Sequence, residues 1–311
     1  MRRPLPFLVA SRCGLLGLGL ALLLHCMPAW AAPDVILLLS DSGGFYQEAA
    51  SALQAELEQA GIEVAQQGLE QRGELRAGGW VVALGVAALQ RALAERSATP
   101  VLSVLVPRAS YLKLAADKTR PVTALYLDQP LERMAALQRL ALPDSRRMGV
   151  LLGPLLRGLQ PELGRAAASQ QLDLHYREIA ASTDVFRALT ELTEVVDVLW
   201  LLPEPLVVSR NNLQSLFLQS YRQRSPVLAY SSGLVEAGAL LGLYATPEQL
   251  GREAGQWLKS LLFAEARRPP PPPRYPVSFS VAVNTSVARS LNLNVPPADE
   301  LTRRLQALRI P

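Results

Sequence analysis

Residues 35–61 read VILLLSDSGGFYQEAASALQAELEQAG, and this stretch decides the fold. Val35 to Leu39 is a continuous apolar run of strand length, without the alternation that a half-exposed strand would show. Such a run belongs in a parallel sheet covered on both faces. Ser40-Asp-Ser-Gly-Gly44 breaks it. From Phe45 to Gln59, Ala49, Leu53 and Leu57 recur at four-residue steps, which predicts a helix. Gly61 stops that helix where a left-handed residue is wanted. The stretch is one strand–helix unit, and the question is how often the chain repeats it.

Working outward, short strands are predicted at Ile62 to Ala65, Trp80 to Leu84, Pro100 to Val106 and Val122 to Leu127, with a helix from Val86 to Ala94. The second half repeats the scheme. A helix opens at Gln129-Pro130, with proline at its first position, and runs to Leu140. Strands at Met148 to Leu152, Leu172 to Ile179, Val198 to Leu202 and Val227 to Tyr230 alternate with helices around Leu163 to Gln170, Val185 to Val196 and Asn211 to Arg222. A strand from Leu240 to Ala245 precedes Thr246-Pro-Glu-Gln249, a capping box whose helix buries Leu250, Ala254, Trp257, Leu258 and Leu261. Residues 267–273 carry a run of prolines and read as an extended connector. Tyr275 to Val283 is a last strand, and short helices start at Thr285 and Pro297. Two successive blocks of this kind predict an α/β protein of two doubly wound, Rossmann-like lobes with parallel sheets.

The first 31 residues stand apart from the fold. Arg2 and Arg3 precede an apolar stretch from Gly14 to Leu24, and Ala29-Trp30-Ala31 forms an A-x-A site. This predicts an export signal cleaved after Ala31 and a periplasmic protein. Two alternatives stay open here: a retained anchor, and a lipid on Cys26, although His25 stands where lipoprotein signals carry a small residue. The apolar run is shorter than the ~20 residues a membrane helix needs. Formal net charge falls from +4 to +1 on removal of this segment, because its three arginines leave 28 basic against 27 acidic residues. No field for nucleic acid or anionic lipid remains. Both cysteines, Cys13 and Cys26, lie in the segment, so the remainder has no disulfide, no thiol nucleophile and no Cys/His zinc site. No stable membrane insertion, metal or cofactor is expected.

The chain lacks the usual catalytic signatures. Gly153 and Gly158 have phosphate-loop spacing, but Leu159 stands where lysine is needed. There is no G-x-S-x-G elbow and no H-E-x-x-H. A serine triad could draw only on His175, flanked in a strand by Leu174 and Tyr176. No enzyme activity and no catalytic residue are therefore expected. What remains is a set of strand ends. In open parallel sheets, ligands bind beyond the carboxyl ends of the strands, at the point where strand order reverses. These ends supply Ser40, Asp41, Ser42, Gly43, Phe45, Gly85, Arg108, Gly153, Glu204, Tyr230 and Ser231 as candidate ligand-binding residues. Glycines there allow close backbone approach, and Phe45 or Tyr230 would stack on an apolar ligand body.

Four stretches carry a resemblance: LERMAALQRLALPDSRRMGV at 131–150, PVLAYSSGLVEAGA at 226–239, GREAGQWL at 251–258, and Val283-Asn284 with Ala288 and LNLNVP at 291–296. Through them the chain resembles the solute-binding components of ABC importers with the type I periplasmic-binding-protein fold, in the subgroup associated with tryptophan and tyrosine. The family's Asp-Pro-Val after its fourth strand is replaced by Val106-Pro107-Arg108-Ala109-Ser110. Its Arg-Pro-Gly-x-Asn-x-Thr-Gly stretch is replaced by Arg120-Pro121-Val122-Thr123-Ala124. The resemblance implies a first lobe of residues 32–127 and 240–268, a second of 128–239 and 275–311, and a connector at 269–274. It implies a monomer that captures a small amino-acid-like or carboxylate solute between its lobes and delivers it to an ABC permease. Arg108 would favour an anionic solute. The alternative is a binding-protein-like sensor, or an accessory partner of an envelope protein.

Overall fold

The computed structural model describes residues 33–310 apart from 72–74, 76, 96, 117–119, 264–268 and 309. The expected export segment and the first two residues of the 267–273 run lie outside the described residues. The chain forms two sheets. The first has the order β2-β1-β3-β4-β5, built from β1 (Val35–Leu39), β2 (Val64–Gly68), β3 (Trp80–Leu84), β4 (Val101–Val106) and β5 (Val122–Tyr126). All its pairings are parallel. The second has the order β11-β10-β9-β8-β6-β7, from β6 (Arg147–Leu152), β7 (Asp173–Glu178), β8 (Val198–Trp200), β9 (Val227–Ala229), β10 (Leu241–Tyr244) and β11 (Ser280–Val283). It is parallel except for β11, which runs antiparallel to β10.

The continuous apolar strands are explained by what covers them. Val35, Leu37 and Leu39 of β1 pack into one core, while Ile36 and Leu38 pack into another on the opposite face. The second sheet divides in the same way: Val150 and Trp200 face one cluster, Leu151 and Leu199 the other. Trp200 brings a polar atom into this core, and its indole N–H donates to the Gln138 amide oxygen at 2.7 Å. The helices are α1 (Gly44–Glu58), α2 (Val86–Ala94), α3 (Arg108–Ala115), α4 (Leu131–Ala141), α5 (Gln160–Ser169), α6 (Val185–Thr193), α7 (Arg210–Arg222), α8 (Ser232–Ala237), α9 (Pro247–Leu262), α10 (Thr285–Ser290) and α11 (Ala298–Ala307).

Helix α9 begins with the expected capping box: Thr246 accepts from the Gln249 N–H, and the Gln249 side chain accepts from the Thr246 N–H. Its body lies against α1 so closely that a Cβ on Gly251 would sit 2.1 Å from the Ala49 carbonyl oxygen. Gly251 and Gly255 thus let a late helix dock on the first strand–helix unit, and Lys259 adds an ion pair to Glu56 at 3.5 Å.

Several expectations shift. The second strand is not at 62–65, because Ile62 closes the α1 terminus: Gly61 has φ +74°, and the Ile62 N–H donates to the Leu57 carbonyl. Pairing starts only at Val64, opposite Val35. The strand expected at 240–245, placed with the first lobe, belongs to the second sheet, where Leu241 pairs with Leu228 and with Val283. The chain therefore returns to the first lobe only after Tyr244, through helix α9. The last strand is shorter than 275–283. The Val277 and Ser278 N–H groups donate to the Glu253 carboxylate instead of to a ladder. Pro130 precedes α4 with extended ψ of 137° instead of occupying its first turn. Helix α3 was not foreseen, since Tyr111 is its only buried side chain and the apolar stripe is thin.

Candidate functional site

The two topological switch points fall between β1 and β3 in the first sheet and between β6 and β8 in the second. At both, the chain's own side chains fill the crevice. Gly85 has φ +96°, and a Cβ there would meet Ser40 Oγ and the Tyr46 ring at 2.6 Å. Ser40 Oγ accepts from the Ala88 N–H at 2.9 Å, so it caps α2 from below. In the second sheet, a Cβ on Gly153 would lie 2.3 Å from the Glu204 carboxyl carbon. Glu204, buried, accepts from the N–H groups of Leu155 and Leu156 at 3.2 Å each. It holds the turn after β6 in place.

The space shared by the lobes lies further along, at the ends of β4 and β5. A small cavity of about 20 Å³, room for about one water, is lined by Arg108, Ala109, Asp128, Gln129, Leu131, Met134, Leu156, Leu159, Leu202, Pro203, Tyr230 and Tyr275. It opens beside a wider groove of about 790 Å³ between Val86, Gln90, Arg108–Ser110 and Leu112–Leu114 on one side and Pro154, Leu155, Gly158, Glu162, Ala180 and Glu204–Leu206 on the other.

Local structure sets each polar group in this space. Arg108 is the first residue of α3, and its backbone N–H donates to Asp128 Oδ2 at 2.5 Å. Its guanidinium spans the lobes, meeting Glu162 in the first turn of α5 through two bonds of 2.8 and 3.0 Å. Burial works against the Arg108 charge, but the bonds to Glu162 outweigh it and raise its pKa. Asp128 follows β5 at the crossover. Burial pushes its carboxyl up to about 6, although the Arg108 N–H and the Arg108 charge pull the other way. Among the described residues Asp128 has no ion pair within 4 Å. Tyr230, at the end of β9, is pushed up to about 12 by burial and by the charge of Asp128. Tyr275 is brought in by the connector. Arg274 bonds alongside β5 through the Ala124 carbonyl and the Tyr126 N–H, which sets the Tyr275 ring 5.2 Å from that of Tyr126. Tyr111 flanks Tyr126 at 5.7 Å.

Of the residues expected at the site, the structure brings Arg108 and Tyr230 to the cavity and Glu204 to the groove. Gly153 lies behind Glu204. Ser40, Asp41, Ser42, Gly43, Phe45 and Gly85 line neither space. Asp41 folds back to accept from the Gly43 N–H at 2.7 Å, and Phe45 is 46% exposed with its edge on Tyr46. Ser231 caps α8 by accepting from the Leu234 N–H. His175 is half-buried on the edge strand β7. Sequence reasoning passed over Asp128, Glu162 and Tyr275. The strand-end rule does contain Asp128, two residues past β5. Glu162 and Tyr275 carry no sequence signal, because they reach the site through inter-lobe packing.

A family model described as ABC transporter substrate binding protein matches residues 79–301. Among solved structures, an ABC domain in complex with L-Trp from Streptococcus pneumonia aligns with TM-score 0.63 and 16% identity, covering 88% of this chain and 98% of that one. A ligand-free, open substrate binding protein with adhesive properties from Clostridium difficile aligns with TM-score 0.66 and 17% identity, covering 85% and 96%. A conserved domain protein from Vibrio cholerae aligns with TM-score 0.62 and 18% identity, covering 88% and 98%. At such identities the likeness is one of fold. No curated protein matches this sequence. Among the described residues no helix is long and apolar enough to cross a membrane.

Proposed function

The chain belongs to the ABC transporter substrate binding protein family, and from that premise we propose that it is a periplasmic importer component that captures a small, amino-acid-sized solute between its lobes and presents it to an ABC permease. The observation that carries this reading is the space between the lobes, a one-water cavity that opens beside a groove of about 790 Å³, with walls from both lobes and with polar groups, Arg108, Asp128, Tyr230 and Tyr275, that arrive from four separate segments. Such a site exists only when the lobes are together, so binding there drives closure by preference for the closed form. Leu131, Met134, Leu156, Leu159 and Leu202 supply the apolar walls that a small-molecule site needs. The work is binding, with no covalent step. The export segment supports the periplasmic location.

A sensor or accessory role draws on one different observation: Arg108 and Glu162 join the lobes directly, so closure does not depend on a solute. A thermal-shift screen of the full chain against amino acids, amines and small carboxylates separates the two. A solute at about 100 times its Kd adds about 2.7 kcal/mol of stability. The transport reading expects at least one such hit, lost on Tyr230→Ala. A screen with no hit rejects it.

A further inference from the structure

The charges around the cavity do not balance. Arg108 is the cation at its wall, and both of its terminal nitrogens are held by the two Glu162 oxygens. Paired in this bidentate way, the two charges cancel and the end of the guanidinium turned across the cleft is taken, while its remaining donors lie toward the Tyr126 hydroxyl. That leaves Asp128. Its carboxylate accepts one backbone N–H from Arg108 and has, among the described residues, no ion pair within 4 Å. The groups facing it are the Tyr230 and Tyr275 side chains, with Tyr126 behind Tyr275 and Glu162 and Glu204 toward the groove. Phenol faces attract cations, and a half-buried carboxylate without a counter-charge gains from one. A ligand carboxylate entering here would have to displace Glu162 and then lie beside Asp128. A ligand ammonium meets neither obstacle.

We propose that the cleft recognises an organic ammonium on an apolar body, held by Asp128 between Tyr230 and Tyr275, and that Glu162 acts as a built-in carboxylate that excludes acids and zwitterions from Arg108. The proposal rests on the reading of the cleft as a solute site and names the class of solute. It reverses the expectation that Arg108 selects anions: the anion Arg108 selects is already part of the chain.

Three probes with one apolar body test it by calorimetry on the full chain: 2-phenylethylamine, phenylalanine and 3-phenylpropionate. The expected order of affinity is amine first, phenylalanine weaker, phenylpropionate weakest. Asp128→Asn should weaken the amine by about 30-fold or more, as loss of one partner of a desolvated charge pair does. Glu162→Gln should instead strengthen phenylalanine and phenylpropionate. A wild-type protein that prefers phenylpropionate or phenylalanine to the amine overturns the proposal but leaves the solute-binding reading standing. So does an amine affinity untouched by Asp128→Asn. No heat from any probe overturns the proposal, and, together with an empty thermal-shift screen, the binding reading as well. The wild-type comparison needs no variant to fold.

Discussion

Replacing Asp128 by asparagine should make the protein more stable at neutral pH, and the upper limit of the gain follows from the partly desolvated carboxyl. Its pKa is displaced upward from 3.8 to about 6, chiefly by burial. A displacement of about two units corresponds to about 3 kcal/mol. The folded value lies above the unfolded one, so the carboxyl contributes its full stability below about pH 4, loses it as pH rises through about 6, and carries the whole penalty above that. Asparagine has no charge to desolvate and keeps an oxygen for the Arg108 N–H. Urea unfolding should therefore show Asp128→Asn ahead of wild type by up to about 3 kcal/mol at pH 7.5, and by less than about 1 kcal/mol at pH 4, with unchanged m. In melting temperature the neutral-pH gain is of the order of 6–10 °C for a chain of this size. A variant that is no more stable at pH 7.5, or a difference that does not shrink toward pH 4, would refute the account of Asp128 as a desolvated charge without a counter-ion.

Arg108→Ala should open the cleft and raise the radius of gyration in small-angle scattering at low salt. Its stability cost should stay within about 1 kcal/mol, since the Arg108–Glu162 pair is partly exposed. Gly251→Ala should destabilise by about 1–3 kcal/mol or more in urea unfolding, because the new methyl group meets the Ala49 carbonyl and α9 must lift from α1. Gln138→Leu should cost about 1–3 kcal/mol by the same measurement, because the buried Trp200 indole N–H loses its acceptor.

The fold was legible because its signal is repeated and local. Runs such as Val35–Leu39 and Trp80–Leu84 are apolar at every position because both sheet faces are covered, and Val101–Val106 follows the same pattern with one buried serine, Ser103. The Thr246 box was legible because capping is a contact between residues three apart. The errors fall where non-local contacts decide. Whether residues 241–244 join one sheet or the other is settled by their partners Leu228 and Val283, not by their own composition. The segment 275–279 alternates like a strand, but the carboxylate of Glu253, more than twenty residues earlier, takes its N–H groups.

The site was less legible for a related reason. The rule that ligands sit at switch points assumes that the crevice there is open. In this chain Ser40 with Tyr46 fills the first crevice and Glu204 fills the second. The glycines at 85 and 153 are thus needed for close approach, as their type suggests, but what approaches is the chain itself. With both crevices filled, the lobes meet one step along the first sheet, at the ends of β4 and β5, where Arg108 and Asp128 lie. The same displacement explains the Arg108–Glu162 pair. A cation at that edge faces the first turn of α5 across the cleft, and an acidic residue in a first turn is also favoured by the helix's own dipole. Glu162 is thereby doubly stabilised, by α5 and by Arg108. Asp128 holds the first N–H of α3 but has, among the described residues, no cation paired to it, and that charge in the cleft is where a solute has most to gain.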